Sequence, residues 1–409
     1  MKLVTKLLSA SALVAAASAA HATDLEVMHW WTSGGEAAAV AEFAKAFDAT
    51  GNTWVDAAIV TGEAARAVMV SRITGGDPMG AFQFNHGRQA EELIEAGLLR
   101  DITDIAEEEG WLDIVNPSNL LDGCTVDGRI YCAPVNIHSW QWLWLGHQAY
   151  DEAGVPVPTN WEEFVAAAPA LEAAGKIPLA MGQQGWQQSG AFNVMMASLV
   201  PQEIFMKVYG DKDAEVAAGP EIAQVFAAAA DAREMSAKST VQNWNDATNL
   251  VITGQAGGQI MGDWAQGEFA VAGQVAGEDY ECLPGLGDTE VLGTGGDAFY
   301  FPVLSDPDQI AAQTELAKLL LSPDVQVAFN LKKGSLPVRG DVDLEAANDC
   351  MRKGLALLAD GKLLPDTNQL LTPDTANQLN TLFTEFFADP SISAEDAQAR
   401  FVKLIEDAE

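Results

Sequence analysis

The alternation of short apolar runs with helical-period segments over roughly the first hundred residues constrains this chain most. "LEVMHWW" is an apolar run of strand length. "SGGEAAAVAEFAKAFDA" follows it, with Val40, Phe43 and Phe47 on one helical face. "NTWVDAAIV" and "GEAARAVMVSRI" repeat the alternation, and "AFQFN" then "QAEELIEAGLL" repeat it again after the "GGDP" break. Strand–helix–strand units fold as a mainly parallel sheet flanked by helices, an α/β layout. Ser33 and Glu36 have the spacing of a capping box at the first helix.

Past Cys132 the pattern changes. "APVNIHSWQWLWLG" reads as one extended stretch with Trp140, Trp142 and Trp144 at period two. "PTNWEEFVAAAPALEAAG" opens a helix with Thr159 and Glu162 as a second capping box, and helices dominate to about residue 252. "GQIMGDWAQG" is a strand running into a turn. "LPGLGDTEVLGTGGDAFYFPV" is glycine-rich and then extended, which suits a crossing between domains. A long helix, "QIAAQTELAKLLL", then "SPDVQVAFNLKKGSLPVR" and a helical C-terminus complete the chain. Its 409 residues suffice for two domains.

Residues 1–22 are set aside as a secretory signal. Lys2 and Lys6 give a positive start, Leu7 to Ala19 is apolar, and Ala20-His21-Ala22 is a cleavage site. The apolar run is shorter than the ~20 residues a membrane span needs. Cleavage after Ala22 places the mature protein in the periplasm. The net charge of −36 becomes more negative still once two lysines are removed. Such a surface repels nucleic acid and anionic lipid and favours a neutral or cationic ligand. Four cysteines in an exported chain suggest two disulfides. Cys124 and Cys132 flank "TVDGRIY", whose Asp127-Gly128 is a hairpin turn signal. Pairing them closes a small loop and leaves Cys282 with Cys350. A zinc site is the alternative, but the spacing is not CxxC and no histidine is close in sequence to either pair.

Five stretches, in order, resemble the periplasmic solute-binding proteins of sugar ABC importers (extracellular solute-binding protein family 1). They are "EVMHWWTSGGE", "APVNIHSWQWLWLG", "GVPVPTNWEEF", "ITGQAGGQIMGDWAQGEF" and "SPDVQVAFNLKKGSLPVR". The glucose-binding subgroup is the nearest match, sharing the double tryptophan and the "MGDWA" and "KGS" segments. The resemblance implies the type II two-lobed binding-protein fold, each lobe a mainly parallel sheet flanked by helices, joined by a hinge. Lobe one is expected at 23–134 and 285–335, and lobe two at 135–284 and 336–409. A neutral sugar, most simply a glucose-like monosaccharide, lies between the lobes and passes to permease subunits of an inner-membrane ABC importer. The chain works as a monomer with no catalytic residue, cofactor or metal. The alternatives are a secreted glycoside hydrolase with paired carboxylates or a lectin-like protein. No GxSxG, HExxH or P-loop motif is present.

A sugar needs hydrogen-bond partners around its hydroxyl rim and flat aromatic surface against its C–H faces. Trp30 and Trp31 are both expected at the ligand. In a strand, one can pack inward while the other stands at the carboxyl end, where open α/β sheets bind. The resemblance brings Glu36 to the sugar as an acidic contact, Asp297 as a hydroxyl acceptor and Lys333 as a donor, with Lys332 the alternative to Lys333. Gln83 and Asn85 end the "AFQFN" strand, Trp186 sits in the polar loop "QQGWQQ", and Trp264 is the stacking platform. Asn368 completes the set. Asn85 and Asn368 depart from the glucose pattern, which carries basic or histidine residues there. Asp263 is assigned to turn chemistry and His138 to ordering the hinge.

Overall fold

The computed structural model describes residues 22–408. Apart from Ala22, the signal expected at 1–22 lies outside them. Two sheets organise the chain. The first has the strand order Thr53–Ala58, Asp24–His29, Ala81–Asn85, Asp297–Tyr300, Cys132–Pro134. The first three run parallel, as strand–helix–strand units dictate. Asp297–Tyr300 is antiparallel to Ala81–Asn85, and Cys132–Pro134 is antiparallel to Asp297–Tyr300. The second sheet runs Tyr280–Pro284, Trp142–Gly146, Ala256–Met261, Ile177–Leu179. Only its last pairing is parallel. The sheets are therefore more mixed than the mainly parallel pattern expected. The physical reason is the return of the chain: a strand arriving from the other lobe enters its sheet from the opposite end.

Each lobe has its own core. Leu25, Val27, Phe43, Phe82, Phe299 and Phe329 anchor the first. Phe192, Phe226, Phe383 and Phe401 form an aromatic stack in the second. A smaller cluster around Trp142, Trp144, Phe269 and Tyr280 completes the second lobe. The strand Ile177–Leu179 lies in the region where helices were expected to dominate. The segment read as one helix through "QAEELIEAGLL" keeps only Glu91–Glu95 as α-helix, after a 3₁₀ turn. At the helix Trp161–Ala173 the cap is Asn160, whose side chain accepts from the Glu163 N–H at 2.9 Å, so the expected Thr159/Glu162 box is shifted by one residue.

Two of the three expected lobe boundaries differ. Leu286 and Val291 still pack in the second core, so the chain recrosses at about 292–297 rather than at 285. Leu336, Val338, Ala347, Met351 and Leu357 are buried in the first core. The final crossing therefore comes near 363–366, not at 336, because the apolar face of the helix Asp349–Ala359 belongs to lobe one. Three crossings make the hinge. His138 bridges Gly295, and Leu292–Gly293 pairs in parallel with Leu363–Leu364.

Both disulfides are formed, Cys124–Cys132 and Cys282–Cys350. The first closes a hairpin in which Thr125–Val126 pairs with Arg129–Ile130. Its turn residues Asp127 and Gly128 have φ of 52° and 75°, the left-handed pair a two-residue hairpin uses. The second ties the edge strand Tyr280–Pro284 of lobe two to the helix Asp349–Ala359. Among the described residues no helix is long and apolar enough to cross a membrane.

Candidate functional site

The lobes face each other across a cleft of about 460 Å³. Its floor begins where Asp24–His29 ends. Trp30 lines the cleft, Ser33 caps the helix Gly34–Asp48, and Glu36 follows in the first turn. The Ser33 hydroxyl accepts from the Glu36 N–H and donates back to its carboxylate, both at 3.3 Å. Half of the expected capping box is present, since the glutamate meets the Ser33 hydroxyl rather than the Ser33 N–H, and Glu36 also lines the cleft. Glu36 Oε1 accepts from Lys333 Nζ at 3.1 Å. Lys333 is the last residue of the helix Pro323–Lys333, which stops at Gly334 with φ +88°. Lys332 is exposed, whereas Lys333 is 2% exposed and points inward.

Asp297 is the hub of this floor. It heads its strand at the register partner of Asn85. Its carboxylate accepts from Gln83 Nε2 at 2.7 Å and Asn136 Nδ2 at 2.9 Å. It also lies 3.3 Å from His138 Nδ1 and 3.8 Å from Lys333 Nζ. Burial works to raise its pKa, but Lys333, His138 and Asn136 outweigh that and hold Asp297 well below the usual carboxylate range. Burial likewise opposes the charge on Lys333, yet Glu36, Asp297 and Asp263 keep the ammonium above the ordinary lysine value. Glu36 goes the other way, with burial raising it despite Lys333. His138 is raised because Asp297, Asp366 and Asp263 exceed the effect of its burial. The floor is thus a set of buried donors and acceptors held in place by one another.

The facing wall is aromatic. Trp264 follows the strand Ala256–Met261, and a Cβ on Gly262 would fall 2.1 Å from its ring, so glycine is required there. Trp140 meets Trp264 edge-on at 4.8 Å and Trp186 at 5.6 Å between ring centroids. Asp263 turns away from the cleft and accepts from the Ser139 N–H and hydroxyl at 2.8 and 2.9 Å. Burial pushes its pKa up to about 7. It locks the turn to the hinge, as assigned.

Trp30, Glu36, Asn85, Trp186, Trp264, Asp297, Lys333 and Asn368 all line the same cleft. Asn368 donates to Asp366 at 2.7 Å, and its amide oxygen accepts from Gln89 at 3.2 Å. Trp31 and Gln83 do not line it. Trp31 is 1% exposed and packs among Phe43, Phe299 and Phe329 in the first core. It supports Lys333 from behind, with Nζ 5.2 Å from its ring. Gln83 is fully buried, and its amide joins the Trp30 N–H to Asp297. Trp31 lies past the end of Asp24–His29 and turns into the core, and Gln83, although it shares the parity of Asn85, sits two residues back from the end of its strand, bonded to Trp30 and Asp297.

The lining residues that were missed include Trp140, Arg66 and His138. Trp140 was hidden in the period-two run, although the strand starts only at Trp142. Arg66 stands 5.6 Å over the Trp30 ring and carries no local motif. His138 orders the hinge, as expected, and also faces the cleft. Chemically, the arrangement offers acceptors and donors to a hydroxyl rim from one lobe and flat rings from the other. Among the described residues no cluster of histidine, cysteine or carboxylate side chains could hold a metal ion.

Comparison with known proteins agrees with this fold. The model for bacterial extracellular solute-binding proteins matches residues 31–327. A probable sugar-binding periplasmic protein of Brucella melitensis is 36% identical over 83% of this chain and 80% of its own length. One of Rhizobium meliloti with the same description is 34% identical over 88% and 86%. Among solved structures, a chitin oligosaccharide binding protein superposes with a TM-score of 0.78 at 18% identity, covering 95% of this chain and 99% of that one. The solute receptor AcbH, described as exclusive for β-D-galactopyranose, superposes at 0.77 and 19%, covering 94% and 98%. These structures share the two-lobed α/β fold. The chain belongs to the bacterial extracellular solute-binding protein family.

Proposed function

We propose that this protein is the receptor of an ABC-type sugar importer: exported, processed after Ala22, and monomeric in the periplasm. It holds one neutral sugar ring of the glucose type between its lobes and presents the closed form to the permease subunits. The observation that carries this reading is the buried Glu36–Lys333–Asp297 set of one lobe facing Trp264 of the other. A ring between them has hydroxyl partners below and an aromatic surface above. The relatives described as sugar-binding periplasmic proteins support the same class of ligand. Contacts from both lobes exist together only when the cleft is closed, so ligand favours closure by its differential affinity.

A thermal-shift screen over hexoses, pentoses, disaccharides and sugar alcohols tests this. A true ligand at a thousandfold excess over Kd stabilises by about 4 kcal/mol. A screen in which no sugar moves the melting temperature overturns the proposal. Incubation with glycosides should release no product, and turnover lost in Glu36→Gln would make the protein a hydrolase instead.

A further inference from the structure

The cleft does not end at the ring site. One face of the helix Gly185–Leu199 lines it continuously through Trp186, Ser189, Gly190, Asn193, Val194 and Ala197. From Trp186 to Ala197 that face runs roughly 16 Å at the rise of an α-helix. A pyranose ring built from ordinary carbon–carbon bonds is roughly 5 Å across. One ring therefore leaves most of this length unoccupied.

The character of the wall changes along the way. At the Trp186 end stand Trp140, Trp264 and Gln184. Asn193 marks the transition, its amide oxygen already taken by the Tyr209 hydroxyl at 2.7 Å. Beyond it, Val194 and Ala197 line the same cavity as Phe205, Val291 and Leu371, all buried hydrophobic side chains. Water is held poorly by such walls, because it needs two or more polar partners. A second sugar ring would bury hydroxyls there without acceptors. An apolar group loses nothing and gains the burial.

Resting on the sugar-receptor reading above, we infer that the preferred ligand is a glycoside. Its sugar ring lies at the Trp264–Asp297–Lys333 end, and its aromatic or short-alkyl aglycone fills the chamber bounded by Val194, Ala197 and Phe205. The ring supplies recognition by hydroxyls, and the chamber supplies additional affinity and selects against free sugars.

Calorimetric titration with matched methyl and phenyl α- and β-glycosides of glucose, galactose and mannose, beside the free sugars, maltose and cellobiose, tests this on the full-length mature protein. For whichever sugar binds, one phenyl glycoside should bind at least about tenfold tighter than its methyl counterpart, a modest return for burying an aryl ring. Ala197→Leu fills the chamber, and Val194→Thr makes its wall polar at nearly constant volume. Each should remove that advantage while leaving the affinity for the methyl glycoside in place. Phenyl glycosides that bind no better than methyl ones, or a disaccharide that binds tighter than both, would overturn the inference and leave the sugar reading standing. An advantage that survives both variants would overturn it as well. If no free sugar and no glycoside binds, the sugar-receptor reading falls with it.

Discussion

Removing the carboxylate of Asp297 tests whether the cleft floor is one network or a set of independent contacts. Gln83 Nε2 has no other acceptor than Asp297, and Asn136 Nδ2 would keep only a 3.4 Å contact to Ser335. Both donors are fully buried, and His138 Nδ1 and Lys333 would each lose a counter-charge. An orphaned buried donor costs about 1–3 kcal/mol, and breaking a buried ionic set costs about 3–5 kcal/mol. These overlap, so Asp297→Ala should destabilise by about 4 kcal/mol, a large share of the ~5–15 kcal/mol typical of folded proteins. Asp297→Asn should cost about half as much, because one oxygen still accepts from Gln83 while its new NH₂ faces the Asn136 amide. Asn136 cannot rotate to meet it, since its own oxygen accepts from the Asp297 N–H at 2.7 Å. Urea unfolding followed by tryptophan fluorescence, without sugar, measures both variants. The folded pKa of Asp297 is lowered, so its stabilisation is complete above the unfolded value of about 3.9 and is lost as pH falls through the folded one. The gap between parent and Asp297→Asn should therefore be constant near neutral pH and shrink in strong acid. An Ala variant within about 1 kcal/mol of the parent would refute the network.

The adjacent tryptophans should separate cleanly. Trp31→Ala should cost about 3–5 kcal/mol of stability in denaturant, whereas Trp30→Ala should leave folding largely intact and weaken sugar binding in calorimetry. His86 is buried between Gly123 and Gly296, and burial, followed by the charge of His138, lowers its pKa to about 4. The unfolded chain takes up that proton first, so stability should fall by about 3 kcal/mol between about pH 6.5 and pH 4. His86→Gln should flatten that part of the profile, and an unchanged slope would contradict the assignment. A Cβ on Gly35 would lie 2.6 Å from the Gly267 backbone, at a joint where the Gly35 N–H also donates to Glu268 at 2.7 Å. Gly35→Ala should thus cost about 1–3 kcal/mol and leave the sugar-saturated protein with a larger radius of gyration in small-angle scattering.

The parts of the fold carried by local periodicity were legible. The first strands and helices of lobe one follow from apolar spacing, and the Cys124–Cys132 hairpin follows from Asp127-Gly128. Where long-range packing decides, the sequence was silent. Nothing local in Leu336, Val338 or Met351 says which lobe's core they enter, because both cores accept an aliphatic side chain. The antiparallel strands of lobe two were hidden for a related reason: strand direction is set by where the chain returns from, not by composition.

The site shows the same division one residue at a time. Trp30 and Trp31, or Lys332 and Lys333, are pairs of which one member lines the cleft and the other does not. Composition cannot choose between neighbours, but the path of the chain past the strand end or the last turn of the helix does, once the partner surface exists. Glu36 and His138 illustrate a different point. Each makes a scaffold contact and also lines the cleft. Glu36 accepts from the Ser33 hydroxyl that caps its helix and anchors Lys333. His138 bridges the hinge at Gly295 and neighbours Asp297. A receptor whose cleft-facing groups also hold its helix start and its hinge cannot loosen one without the other. Closure and recognition therefore draw on the same hydrogen bonds, and a variant at either position should change affinity and lobe motion together rather than one alone.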